Sequence, residues 1–222
     1  MLPTLTLRET RVLGVLVEKQ HTVPDTYPLT LNSLVSGCNQ KTSRDPVIEA
    51  SEEEVQATVD RLKGLSLVME SSGGRVMRYA HNVGKVLGIP PQSVALIAVL
   101  FLRGPQTAGE LRINSERLHK FGDILAVEAF LHELAERGEG ALVRELPRQP
   151  GSRETRWAQL VSGEPVILMP APVPSHEAIA GADALSLSEL VTMKAQIDQL
   201  QSEIATLKET LARICSKLGI AP

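Results

Sequence analysis

The 222-residue sequence predicts a mainly α-helical fold with small β-hairpin wings, arranged as two tandem winged-helix domains and a C-terminal coiled-coil helix. Three patterns predict it. Apolar residues recur at helical spacing in three successive segments and then give way to a short hairpin. The same order comes round a second time within residues 1–163. Beyond a proline-dense stretch, a strict heptad pattern runs through residues 190–218. The boundaries read as 1–85 and 86–163 for the two winged-helix domains, 164–183 for a Pro-rich linker and 184–219 for the coil.

In the first repeat, Leu7, Val12, Leu13, Val15, Leu16 and Val17 form a helical stripe up to about Gln20. Thr6 with Glu9 three residues on gives it a capping box, and Thr22-Val23-Pro24-Asp25 ends it. A second helix spans about Leu29 to Cys38, with Leu31, Leu34 and Val35 on one face, and Asn39 to Pro46 is a polar turn. Ser51 with Glu54 caps a third helix, whose inner stripe is Val55, Val59 and Leu62 and whose end lies near Gly64. Leu65 to Glu70 and Arg75 to Ala80, joined through Ser71-Ser72-Gly73-Gly74, read as a hairpin.

The second repeat opens at Pro90-Pro91 with a helix carrying Val94, Leu96, Ile97, Val99 and Leu100, ended by Gly104-Pro105. Thr107 with Glu110 caps a short helix containing Leu111, and Asp123 opens a third with Val127, Leu131 and Leu134 inside. Leu142 to Leu146 and Glu154 to Leu160 form its hairpin. The inner stripes of the two third helices match at one constant offset.

From Gly163 to Gly181 the prolines at 165, 170, 172 and 174 prevent regular structure. Beyond them Leu190, Met193, Ile197, Leu200, Ile204, Leu207, Leu211, Ile214 and Leu218 alternate at spacings of 3 and 4, the a/d seam of a coiled coil. With Leu190 at position a, Ile197 and Ile204 are also a, and Leu200 and Leu207 are d. β-Branched a with Leu at d favours a parallel dimer, and Glu203 at g faces Lys208 at e. A parallel coiled-coil homodimer is therefore expected; folding back in cis, or pairing with another protein, are the alternatives.

The longest apolar run, Val94 to Leu102, falls well short of the ~20 residues that span a membrane. The N-terminus has no secretory pattern, and the two cysteines, Cys38 and Cys215, make neither a disulfide framework nor a paired metal site. A cytoplasmic protein without a membrane partner is the expectation. No catalytic, cofactor-binding or metal-ligating set stands out. The five histidines lack ligand spacing, Gly73-Gly74 belongs to a turn, and Cys38, with His21 or His81 as a conceivable base, reads better as a small buried hydrophobe. The protein is therefore expected not to be an enzyme and to need no cofactor.

Several long stretches resemble the YceH family of uncharacterised bacterial proteins. They are Arg11-Val-Leu-Gly-Val-Leu-Val-Glu-Lys-Gln20, Pro24-Asp-Thr-Tyr-Pro-Leu29, Cys38-Asn-Gln-Lys-Thr-Ser-Arg-Asp-Pro46, Leu102-Arg-Gly-Pro-Gln-Thr107 with Gly109-Glu-Leu111, and Leu146-Pro-Arg-Gln-Pro-Gly-Ser-Arg-Glu-Thr-Arg-Trp157. The resemblance covers about residues 5–163 and implies a bacterial cytosolic protein with tandem winged-helix domains. It implies no activity.

Charge placement separates the two functions open to such a fold. Net charge is −3, and residues 1–85 and 86–163 are each balanced, so the deficit lies in the tail. A winged helix reads duplex DNA by laying its third helix in the major groove. Here the third helices begin Ser51-Glu52-Glu53-Glu54 and Asp123, carboxylates that a polyanion repels. Cations gather instead on hairpins and loops. Lys41, Arg44, Arg75, Arg78, Arg144, Arg148, Arg153 and Arg156 are the candidate phosphate contacts of a double-stranded-DNA-binding regulator. The alternative is an adaptor that binds a protein partner through the acidic helices.

Overall fold

The computed structural model describes residues 3–72, 76–138, 140–148, 152 and 154–164. It is mainly α with two small antiparallel sheets. Helix α1 spans Leu7–Thr22, with Thr6 and Glu9 forming the expected capping box. Helix α2 is Leu31–Cys38, two residues shorter at its start than the periodicity predicts. Thr30 is its N-cap, accepting from Ser33 N–H, and this frees Leu29–Thr30 to form a short strand, β1. Helix α3, Glu52–Gly64, begins at the Ser51–Glu54 capping box. Strands β2, Val68–Ser72, and β3, Met77–His81, form the hairpin, and β1 adds to the far edge of β3.

A short helix, α4 at Val83–Leu87, has no counterpart in the sequence-based expectation. Gly88 caps it at φ 62°, a left-handed conformation that glycine adopts without steric cost. Helix α5, Pro91–Arg103, begins with proline at its first position and stops at Gly104, whose φ is 69°. Thr107 and Glu110 box the start of α6, Ala108–Asn114; Asp123 caps α7, Ile124–Ala135. Strands β4, Val143–Glu145, and β5, Trp157–Gln159, pair antiparallel.

The two helix–helix–helix–hairpin units share one core. Helix α1 packs along α5, and α5 is buried on every side from Ser93 to Leu102. The third-helix stripes Val55, Val59, Leu62 and Val127, Leu131, Leu134 are all buried in it. Near the two ends of the described residues, Leu5 N–H donates to the Val161 carbonyl at 2.9 Å.

The units correspond down to single hydrogen bonds. In the first, Leu29 just before the α2 cap pairs with Tyr79. In the second, Gln106 just before the α6 cap pairs with Trp157 through an isolated bridge. Glu70 faces Tyr79 as Glu145 faces Trp157, and Val68 faces His81 as Val143 faces Gln159. The linker beyond residue 164 and the heptad seam from Leu190 to Leu218 lie outside the described residues.

Candidate functional site

Of the eight candidate phosphate contacts, Arg75 and Arg153 lie outside the described residues. The other six divide sharply. Arg44 is not a surface cation. Its side chain is 0% exposed, clamping Glu18 with two guanidinium nitrogens at 2.6 and 3.1 Å and donating to the Gly37 carbonyl. Burial thus removes it from the phosphate-contacting set. Arg78 donates to the carbonyls of Thr26 and Pro28, the latter at 2.7 Å; Arg156 donates to the carbonyl of Pro105 at 2.8 Å and pairs with Glu110. Pro28 and Pro105 each lie two residues before a helix-capping threonine, so the two arginines fasten the same joint in each unit. Arg144 pairs with Glu164. Lys41 and Arg148 are exposed, and no hydrogen bond or ion pair holds either among the described residues.

Around Arg44 lies a rigid polar platform, residues 39–50. Asn39 closes its base, its amide donating to the Ala50 carbonyl at 2.9 Å and its Oδ1 accepting from Ala50 N–H at 2.8 Å. Arg11, fully buried, reaches from α1 to the carbonyls of Cys38 and Pro46. Asp45 N–H donates to the Leu102 carbonyl at 2.8 Å, joining the loop to α5. Burial, and then the charge of Arg44, pull the Arg11 guanidinium below its ordinary pKa. Burial pushes the Glu18 carboxyl up, but hydrogen bonds and charge from Arg44, with Lys19 beside it, hold it below its ordinary value on balance. Burial drives the Cys38 thiol up to about 12 despite Arg11 and Arg44, so it stays protonated and packs as a small apolar group.

The platform forms one wall of a cleft of about 560 Å3 between the units. Lys19, Thr42 and Ser43 line it from the first unit; Arg103, Asn114 and Arg117 line it from the second. Arg103 Nη2 donates to Ser43 Oγ at 2.7 Å, and Arg44 Nη1 donates to the Ser43 carbonyl at 2.9 Å. Sequence reasoning missed this gathering. Lys19, Arg103 and Arg117 are far apart in the chain, and only the packing of α1 along α5 brings them together.

The heads of the third helices differ. At α3, Glu52 and Glu53 are exposed while Glu54 is tied into the cap and to Arg8 at 2.7 Å. At α7, Asp123 is the cap, and Ile124 and Leu125 project into solvent, Leu125 at 72% exposure. A groove of about 220 Å3 runs from Ile124 past Glu128 and His132 to Arg148 and Trp157 on the hairpin side. Among the described residues no group of three or more His, Cys, Asp or Glu could hold a metal ion, and no helix is long and apolar enough to cross a membrane.

These features define a mainly α protein of two matched helix–hairpin units with an ionic platform between them. Residues 5–152 match the family described as "Protein of unknown function, DUF480". The chain is 56% identical to a UPF0502 protein of Burkholderia orbicola (strain MC0-3), over 97% of this chain and 90% of that one. It is 55% identical to a UPF0502 protein of Dechloromonas aromatica (strain RCB), over 94% of this chain and 95% of that one. It is 53% identical to one from Burkholderia ambifaria (strain ATCC BAA-244), over 97% and 90%. The chain belongs to the DUF480, or UPF0502, family, which is the YceH family that its sequence motifs resemble.

Proposed function

We propose that this protein is a non-catalytic cytoplasmic adaptor, built from two tandem winged-helix domains, that binds a protein partner at the head of α7. The heptad segment 184–219 pairs two copies in parallel. One observation carries the reading: the groups at the heads of the third helices are carboxylates and bare aliphatics, while four of the wing and loop arginines are already held by the chain itself. A DNA-reading helix needs donors and cations where α3 presents Glu52 and Glu53 and α7 presents Ile124 and Leu125. Exposed apolar residues rimmed by polar ones suit a protein surface instead.

The DNA-binding alternative rests on the exposed Lys41 and Arg148. Passage over duplex DNA and heparin at about 50 mM salt separates the two readings, because phosphate-driven binding is strongest at low salt. No retention is expected. Retention that Lys41→Ala with Arg148→Ala abolishes would replace the adaptor with a wing-and-loop DNA-binding regulator. For the heptad segment, a chain ending near Gly181 is expected to sediment as a folded monomer. A shortened chain that stays dimeric would move the association surface into residues 1–163.

A further inference from the structure

We infer that the cleft between the two units is a binding site for a small phosphorylated molecule of nucleotide size. Its charge is the first ground. Lys19, Arg103 and Arg117 face one polar space with two carboxylates: Glu18, clamped by the bidentate Arg44 and paired with Lys19 at 3.3 Å, and the exposed Glu116. Neither Arg103 nor Arg117 has a carboxylate partner among the described residues. Unpaired guanidiniums converging on a concave site recognise oxyanions, because their forked donors match phosphate oxygens. The hydroxyls of Thr42 and Ser43 and the second N–H of the Asn114 amide, whose first donates to Gln106 Oε1 at 2.9 Å, are donors that a phosphoryl group can take.

The second ground is the backbone of Ser43. Its φ is 59°, the left-handed region that a residue bearing a Cβ enters at a cost of about 1 kcal/mol or more. Two arginines hold it there, Arg44 on its carbonyl and Arg103 on its hydroxyl. Ser66 has the same φ of 59° in the turn after α3, so it is the place of Ser43 on the cleft wall, with both arginines holding it, that makes such over-determined strain a pointer to a ligand.

Size and polarity give the rest. A volume of about 560 Å3 lies within the usual range for small-molecule pockets, roughly 300–1,000 Å3. Two exposed aliphatics also line the cleft, Val23 from the first unit at 40% exposure and Ile113 from the second at 66%. Cations and bare aliphatics contributed by both units suit a phosphate joined to a flat or greasy body rather than free inorganic phosphate.

Calorimetric titration of the full chain with 5′-mononucleotides, pyrophosphate, citrate and a short DNA duplex tests this. Saturable binding of at least one mononucleotide, one per chain, is expected, tighter than that of pyrophosphate. Arg117→Gln should weaken it by about tenfold or more, the loss of one charge-assisted hydrogen bond, and Arg103→Gln by at least as much. The Arg117 side chain makes no hydrogen bond or ion pair within the fold among the described residues, so its variant reads the site without disturbing folding. Arg148→Gln, on the second hairpin, should leave binding unchanged. No saturation of any mononucleotide below about 1 mM would overturn the proposal. So would equal weakening by Arg148→Gln, tighter binding of citrate, or Arg117-dependent binding of the duplex alone.

Discussion

The two units solve one structural problem with opposite materials. Each must carry the chain from its second helix to its third and pack the connection against its first. In the first unit the connection is ionic: Arg11, Arg44, Glu18 and Asn39 fix it from beneath. In the second it is aromatic. Phe121 is buried edge-on to Phe130, at a ring separation of 5.8 Å, and edge-on to His119 at 4.7 Å. An aromatic plug contributes area without charges to desolvate. A buried ionic frame must desolvate its charges, and it gains stability over an apolar plug only where every partner is in place. In return it holds hydroxyls and cations at fixed positions on a cleft wall.

The difference is sharpest when one partner is removed. Glu18→Ala leaves Arg44 buried without its carboxylate partner and should destabilise the fold by about 3–5 kcal/mol in urea denaturation. Phe121→Ala should cost about 3–5 kcal/mol by lost area and cavity. Acid distinguishes them. The folded carboxyl of Glu18 lies below its ordinary 4.5, so its contribution is complete above that pH and disappears as pH falls through the folded value. The Phe121 variant should keep this acid-dependent loss, and the Glu18 variant should lack it. If both variants show the same acid profile, the ionic frame is not what stabilises the platform.

The hairpins allow a second comparison. His81 in β3 and Gln159 in β5 occupy the same register position, each facing a buried valine. The His81 ring bonds to Gln20 through Nε2 at 2.6 Å, and its Nδ1 is buried without a partner. Burial first, and the charge of His21 second, lower its pKa from 6.5 to about 4. The unfolded chain thus takes up a proton near pH 6.5 that the folded chain refuses until about pH 4. Stability present above pH 6.5 should fall across that window by at most about 3 kcal/mol, less to the extent that water reaches the ring. His81→Gln makes the first hairpin like the second at this position, and urea midpoints from pH 7 to pH 4 should flatten. A midpoint curve unchanged by the substitution would place the titration elsewhere.

What the sequence disclosed was local grammar. Thr6 with Glu9, Ser51 with Glu54, Thr107 with Glu110 and the lone Asp123 mark helix starts that the structure uses, because a cap needs only residues three apart. The inner stripes of α3 and α7 were legible for the same reason. Strand β1 was not, since two residues carry no period, and its pairing with Tyr79 is a tertiary choice. Arg44 shows the limit most plainly. It stands in a polar run that reads as a solvated turn, and nothing nearby announces burial. Its partner Glu18 lies 26 residues back on another helix. Arg78 and Arg156 likewise look like a cationic wing until their acceptors, Pro28 and Pro105, are seen beside them.

The smallest expected effect tests how closely the units correspond in packing. Gly37 in α2 and Gly109 in α6 are both on second helices, but only the first is crowded. A Cβ at Gly37 would lie 2.5 Å from Val15 Cγ1, whereas at Gly109 the nearest atom is 3.8 Å away. Valine is stiff about χ1, so Val15 cannot swing aside cheaply, and α1 and α2 would have to separate. Gly37→Ala should therefore cost about 1–3 kcal/mol, even after the gain in helix propensity. Gly109→Ala meets only ordinary contacts and should stabilise by a few tenths to about 1 kcal/mol through the lower entropy of the unfolded chain. Thermal unfolding of both variants side by side decides it. Equal shifts would mean that the first helix pair has slack the second shares, and that the two units match in packing as well as in hydrogen bonding.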